Sequence, residues 1–120
     1  MQKILIVDDD KDILTLVELL LNANNYTVKT ISDPTDIVEE IKTFYPNAIL
    51  MDVNMEQYDG RKICSFIKSD TIIKHIPIIL FSAMQNLHET HKECEASDFI
   101  AKPFSALELI KKIEKHLIPG

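Results

Sequence analysis

Five short apolar runs, each followed by a helical pattern, constrain this 120-residue chain more than any other feature. The runs fall at residues 3–7, 26–31, 49–51, 77–81 and 99–101. Those at 3–7, 49–51 and 77–81 lack polar alternation, which marks strands buried on both faces. Buried strands alternating with helices predict a parallel sheet covered on both sides, an α/β fold.

The first helix is predicted from Asp10 to about Asn24, with Ile13, Leu14, Leu16, Val17, Leu20 and Leu21 at helical spacing. Asn24-Asn25 suits a left-handed helix end. Asp33-Pro34 opens the second helix, Ile37, Val38, Ile41 and Phe44 line it, and Tyr45-Pro46 ends it. Residues 53–59 read as a loop leading to Gly60 and a third helix, with Ile63, Phe66 and Ile67 facing inward. A fourth, polar helix is predicted at 85–95, with Leu87 as its main anchor. Ser105 caps the fifth, whose apolar positions are Leu107, Leu109, Ile110, Ile113 and Leu117. The only glycines are Gly60 and Gly120, so any other residue with positive φ must be Asn or carry strain.

With 46% hydrophobic and 27% charged residues, the expectation is a folded chain with one domain over 1–120. A net charge of -6 argues against a nucleic-acid surface. No apolar run approaches the roughly 20 residues that cross a bilayer. Met1-Gln2-Lys3 leads straight into a strand, so the expected compartment is the cytoplasm, without a membrane partner. Cys64 and Cys94 both lie in helical patterns, far apart in sequence, and read as free thiols.

The carboxyl ends of the strands carry the chemistry. Strand one ends on Asp8 and Asp9, strand three on Asp52, strand four on Ser82 and strand five on Lys102. Alone, Asp52 could be a turn starter or a helix cap. In a parallel sheet, however, all these ends share one edge, where open α/β sheets bind ligands. Carboxylates about 5 Å apart at an effective dielectric near 20 repel by about 3 kcal/mol per pair. One lysine cannot offset that. A divalent cation can, and carboxylate oxygens with backbone carbonyls and waters suit Mg2+. Carboxylates, Mg2+, a lysine and a hydroxyl are the parts for phosphoryl transfer, in which a carboxylate can be the nucleophile. No glycine-rich phosphate loop follows strand one, which disfavours nucleotide and flavin binding.

Val7-Asp8-Asp9, Asp52 with Val53-Asn54-Met55 and Asp59-Gly60, Ser82-Ala83 and the run from Phe99 to Phe104 are together similar to the receiver domain of bacterial two-component response regulators. The resemblance covers the whole chain. It implies a flavodoxin-like, doubly wound five-stranded parallel sheet of order 2-1-3-4-5 with five helices. It implies that Asp52 is the phosphoacceptor, fed by a sensor histidine kinase or a histidine phosphotransfer protein. Asp9, Asp52 and the backbone carbonyl of Asn54 would hold Mg2+, with Asp8 reaching it through water. Lys102 would pair with the phosphoryl group, Ser82 would be the switch hydroxyl and Phe99 the switch aromatic. Lys102-Pro103 would be a cis peptide. The family's habit of pairing through the fourth helix, fifth strand and fifth helix leaves a homodimer open.

Three positions depart from the family's usual pattern. Glu56 stands where Pro is usual, Glu95 where Gly usually ends the fourth helix, and Phe99 where Tyr is common. A positive φ at Glu95 would cost on the order of 1 kcal/mol. Asp10 and Asp12 read as helix-terminus residues, and His88 and His91 as exposed, without a third metal ligand. A phosphohydrolase of similar topology would carry a second Asp where Asn54 stands. A module that keeps the fold but is never phosphorylated would have lost Asp9, Asp52 or Lys102.

Overall fold

Strands β1 (Lys3–Val7) and β3 (Ala48–Asp52) form on apolar runs, and β2 (Thr27–Ile31) forms on β-branched residues around Lys29. Here they are seen in a computed structural model that describes residues 2–83 and 94–117. Two further strands, β4 (Asn54–Met55) and β5 (Tyr58–Asp59), pair antiparallel within the stretch predicted as a loop. Strands β6 (Ile78–Ser82) and β7 (Asp98–Ala101) complete the main sheet. Its order is β2-β1-β3-β6-β7, all parallel, so the five principal strands follow the expected 2-1-3-4-5.

Helices α1 (Lys11–Ala23), α2 (Ile37–Phe44), α3 (Gly60–Lys68) and α4 (Ala106–His116) are the four α-helices among the described residues. The helix predicted at 85–95, with Leu87, His88 and His91, falls mostly outside them; Cys94 and Glu95 form a turn. Asp10 caps α1 by accepting from the Asp12 and Ile13 amides, Asp33 caps a 3-10 turn (Pro34–Asp36) before α2, and Ser105 caps α4.

Alternate residues of each central strand enter opposite cores. Leu5, Val7, Ile49, Met51, Ile78 and Leu80 pack with α2 and α3. Ile4, Ile6, Ala48, Leu50, Ile79 and Phe81 pack with α1 and α4. This period of two, covered on both faces, is the doubly wound arrangement. Three predicted core residues are instead exposed: Leu16 at 61%, Phe66 at 62% and Leu107 at 64%. In α3 the buried positions are Cys64 and Ile67, flanked by Ile63, and Phe66 lies about 100° round the helix from Ile67 and about 160° from Cys64.

Register brings the strand ends to one level. Val7 sits beside Met51, Asp52 beside Phe81 and Ser82 beside Ala101. Lys102-Pro103 is cis, as expected. Positive φ occurs at Asn25, Tyr45 and Glu95, none of them glycine.

Candidate functional site

Asp8, Asp9 and Asp52 each offer a carboxylate oxygen, and the three oxygens lie within 4.8 Å of one another. Asp8 is fully buried and Asp52 nearly so, whereas Asp9 is exposed at the mouth. What holds like charges together is a set of donors. Lys102 Nζ is 3.1 Å from Asp8 Oδ2 and 3.8 Å from Asp52 Oδ2. The Asp10 amide donates to Asp8 Oδ1 at 2.9 Å, and the Asn54 amide to Asp52 Oδ1 at 3.3 Å. The Glu56 amide donates to Asp9 Oδ2 at 2.6 Å. Lys102 itself lies 4.8 Å over the centre of the Phe81 ring, which steers its ammonium inward.

Burial pushes the Asp52 carboxyl up to about 6. The Asp8 carboxylate adds to that rise, and Lys102 with the Asn54 amide pulls part of it back. Three oxygens so close, with two of the carboxylates out of water, are a donor set for a hard divalent cation. The residues therefore fit the expected metal site.

Ser82 is buried at the end of β6, where its Oγ accepts from Asn54 Nδ2 at 3.0 Å. Sequence reasoning assigned Asn54 a role through its backbone carbonyl and missed this side-chain contact. It also missed the Glu56 amide, although a residue other than Pro at that position leaves an N–H available. Phe99 is half-buried in β7, with Lys112 Nζ 4.9 Å from its ring centre. It lies on the neighbouring strand rather than among the carboxylates. Gly60, opening α3, packs against the acceptor strand: a Cβ there would meet the Asp52 carbonyl oxygen at 2.1 Å.

The response regulator receiver domain model matches residues 4–114. The chain belongs to the response regulator receiver family. This receiver domain is 33% identical over 117 residues to the protein PilG of Pseudomonas aeruginosa, covering 96% of this chain and 87% of PilG. It spans about half the length of several other curated relatives it matches. Among solved structures, chemotaxis protein CheY4 of Vibrio cholerae is 25% identical with a TM-score of 0.89, covering 98% of this chain and 99% of that one. The receiver domain of the sensor histidine kinase PA1611 of Pseudomonas aeruginosa, described with a magnesium ion in its active site cleft, is 28% identical with a TM-score of 0.85, covering 96% of each chain. No helix among the described residues is long and apolar enough to cross a membrane.

Proposed function

We propose that residues 1–120 form one receiver domain in which Asp52 accepts a phosphoryl group. The donor is a phosphohistidine on a sensor histidine kinase or phosphotransfer protein, and the setting is the cytoplasm. The observation that carries this reading is the meeting of three carboxylates with Lys102 at one sheet edge. Asp8, Asp9 and Asp52, with the Asn54 carbonyl, would hold Mg2+, which supplies charge neutralisation for the carboxylates and the incoming phosphoryl oxygens.

Each residue then has a chemical task. An Asp52 carboxylate oxygen attacks phosphorus as the N–P bond to the donor imidazole breaks, leaving an acyl phosphate. Lys102, already beside Asp8 and Asp52, pairs with a phosphoryl oxygen and lowers the charge that accumulates in transfer. Ser82 donates a hydrogen bond to the phosphoryl group. Movement of Ser82 and Phe99 then shifts a pre-existing equilibrium at the surface that includes β7 and α4, which an output partner or a second copy reads. Asn54, a neutral side chain two residues past the acceptor, supplies no built-in acid or base for rapid hydrolysis.

Incubation with acetyl phosphate and Mg2+ tests the assignment. The wild-type chain is expected to gain one acid-labile phosphoryl group by mass, and Asp52→Asn none. Uptake by Asp52→Asn at the wild-type level would remove Asp52 as the acceptor.

A further inference from the structure

Cys64 and Cys94 lie apart in sequence and together in the fold. Cys64 is in the buried row of α3, and Cys94 is in the turn that precedes β7. Cys64 Sγ donates to the Cys94 carbonyl oxygen at 3.2 Å, which sets the Cys64 side chain against the backbone of Cys94. Both are reduced, at 0% and 2% exposure. The sequence reading placed Cys94 in a helix and gave the thiols no relationship. A sulfur seated against the other cysteine's backbone places the two side chains where rotation about each Cα–Cβ bond can bring the sulfurs toward the roughly 2.05 Å of a disulfide.

The two thiols are not equivalent. Cys94 lines a surface cleft of about 440 Å³ together with Asp59, Arg61, Lys62 and Ser65. Cys64 lies behind it and does not line that cleft. The Cys64 side chain, against the penalty of burial, draws the Cys94 thiol down, and Cys94 and burial push the Cys64 thiol up. Arg61 is paired with Asp59, which leaves Lys62 as the uncompensated charge among the cleft's ionic side chains, a setting that suits an anionic reagent.

We propose that Cys64 and Cys94 form a redox-controlled disulfide, made in the folded chain by an anionic low-molecular-weight disulfide of the glutathione type. The Cys94 thiolate attacks one sulfur of that reagent, a mixed disulfide forms and one thiolate leaves. Cys64 sulfur then attacks the Cys94 sulfur, the intramolecular bond forms and the second thiolate leaves, taking up the Cys64 proton. Two protein thiols are oxidised and one reagent disulfide is reduced to two thiols. In a reducing compartment such a bond is transient, which is the character of a sensor rather than a staple. It would fasten the turn before β7 to α3, a consequence for signalling that rests on the function proposed above.

The native chain is incubated with oxidised glutathione and mapped by mass spectrometry. The expected product has lost two hydrogens, yields a joined Cys64–Cys94 peptide, reverts with dithiothreitol and melts on the order of 10 °C higher. Cys64→Ser is expected to stop at a glutathione adduct on Cys94, and Cys94→Ser to stay unmodified. Persistent adducts on the wild-type chain, or a bridge that forms only in denaturant, would overturn the proposal. Phosphoryl uptake by the reduced chain tests the phosphoacceptor reading separately, because bridge formation is read by mass without phosphate.

Discussion

Asn54 Nδ2 donates to the Ser82 Oγ across 3.0 Å, so the residue two past the acceptor holds the hydroxyl expected to meet the phosphoryl group. Accepting this bond engages an oxygen lone pair of Ser82 and not its proton. A double-mutant cycle with Asn54→Ala and Ser82→Ala is expected to give a coupling of about 1 kcal/mol in urea unfolding of the unphosphorylated chain. Asn54→Ala is also expected to weaken binding of the phosphoryl mimic beryllofluoride several-fold. A coupling of zero would reduce the contact to a surface coincidence.

Lys102 is shared unequally, nearer to Asp8 than to Asp52. Removing it leaves a buried carboxylate pair without its cation, a change that costs about 3 kcal/mol or more. Lys102→Ala is therefore expected to unfold at lower urea in the presence of chelator. Asp8→Asn in the same chain is expected to restore most of the loss, since it removes one of the repelling charges. A single variant as stable as the wild type would show that the lysine is not what holds these carboxylates together.

The strand ends were legible because each closes an apolar run: Val7 before Asp8, Met51 before Asp52, Phe81 before Ser82 and Ala101 before Lys102. Parallel register then leaves no freedom about where those ends meet. Helix faces were less legible. Leu16 and Leu107 are apolar and helical, yet each lies about 100° to 160° round its helix from the buried residues. Leucine stabilises a helix whichever way it points, so its presence does not report burial. The Asn54 to Ser82 bond and the Cys64 to Cys94 contact depend on how separate segments approach. No spacing in the sequence encodes that.

Gly60 owes its identity to close approach. A methyl group would meet the Asp52 carbonyl oxygen at 2.1 Å and the Val53 Cα at 2.9 Å, and both are backbone atoms that cannot rotate aside. Gly60→Ala is expected to destabilise the fold by about 2 kcal/mol. Because relief must move the acceptor's own peptide, phosphoryl uptake from acetyl phosphate is expected to fall more than the change in folded fraction explains. Uptake that merely tracks folding, measured by circular dichroism on the same samples, would contradict the placement.

Glu95 adopts φ 63° in the turn beside Cys94. A side chain with a Cβ is strained there by about 1 kcal/mol, and glycine would return part of the gain through its freer unfolded state. Glu95→Gly is expected to raise the urea midpoint, and Glu95→Asn to raise it too. Glu95→Ala is expected to leave it unchanged, since alanine keeps the Cβ. Equal midpoints for the glycine and alanine variants would mean that the turn carries no such strain.

Asp98 opens β7 and ties it to α4: its Oδ1 accepts from Lys112 Nζ at 2.9 Å, and its Oδ2 lies 2.7 Å from His116 Nε2. Burial raises the Asp98 carboxyl, but hydrogen bonds from Lys112, His116 and the Phe99 amide outweigh it and hold it at about 2. A carboxyl held below its ordinary value near 3.8 adds stability that is fully present above that value and is lost as pH falls through about 2. Asp98→Asn is therefore expected to cost about 2 kcal/mol at pH 7, with the gap to wild type closing between pH 4 and pH 2. The same ion pair seats Lys112 against the Phe99 ring and carbonyl, so the substitution is also expected to free that ring. Urea unfolding across this pH range, with aromatic NMR of Phe99 at neutral pH, measures both effects. A gap that does not narrow in acid would place the stabilisation in packing rather than in the charge of Asp98.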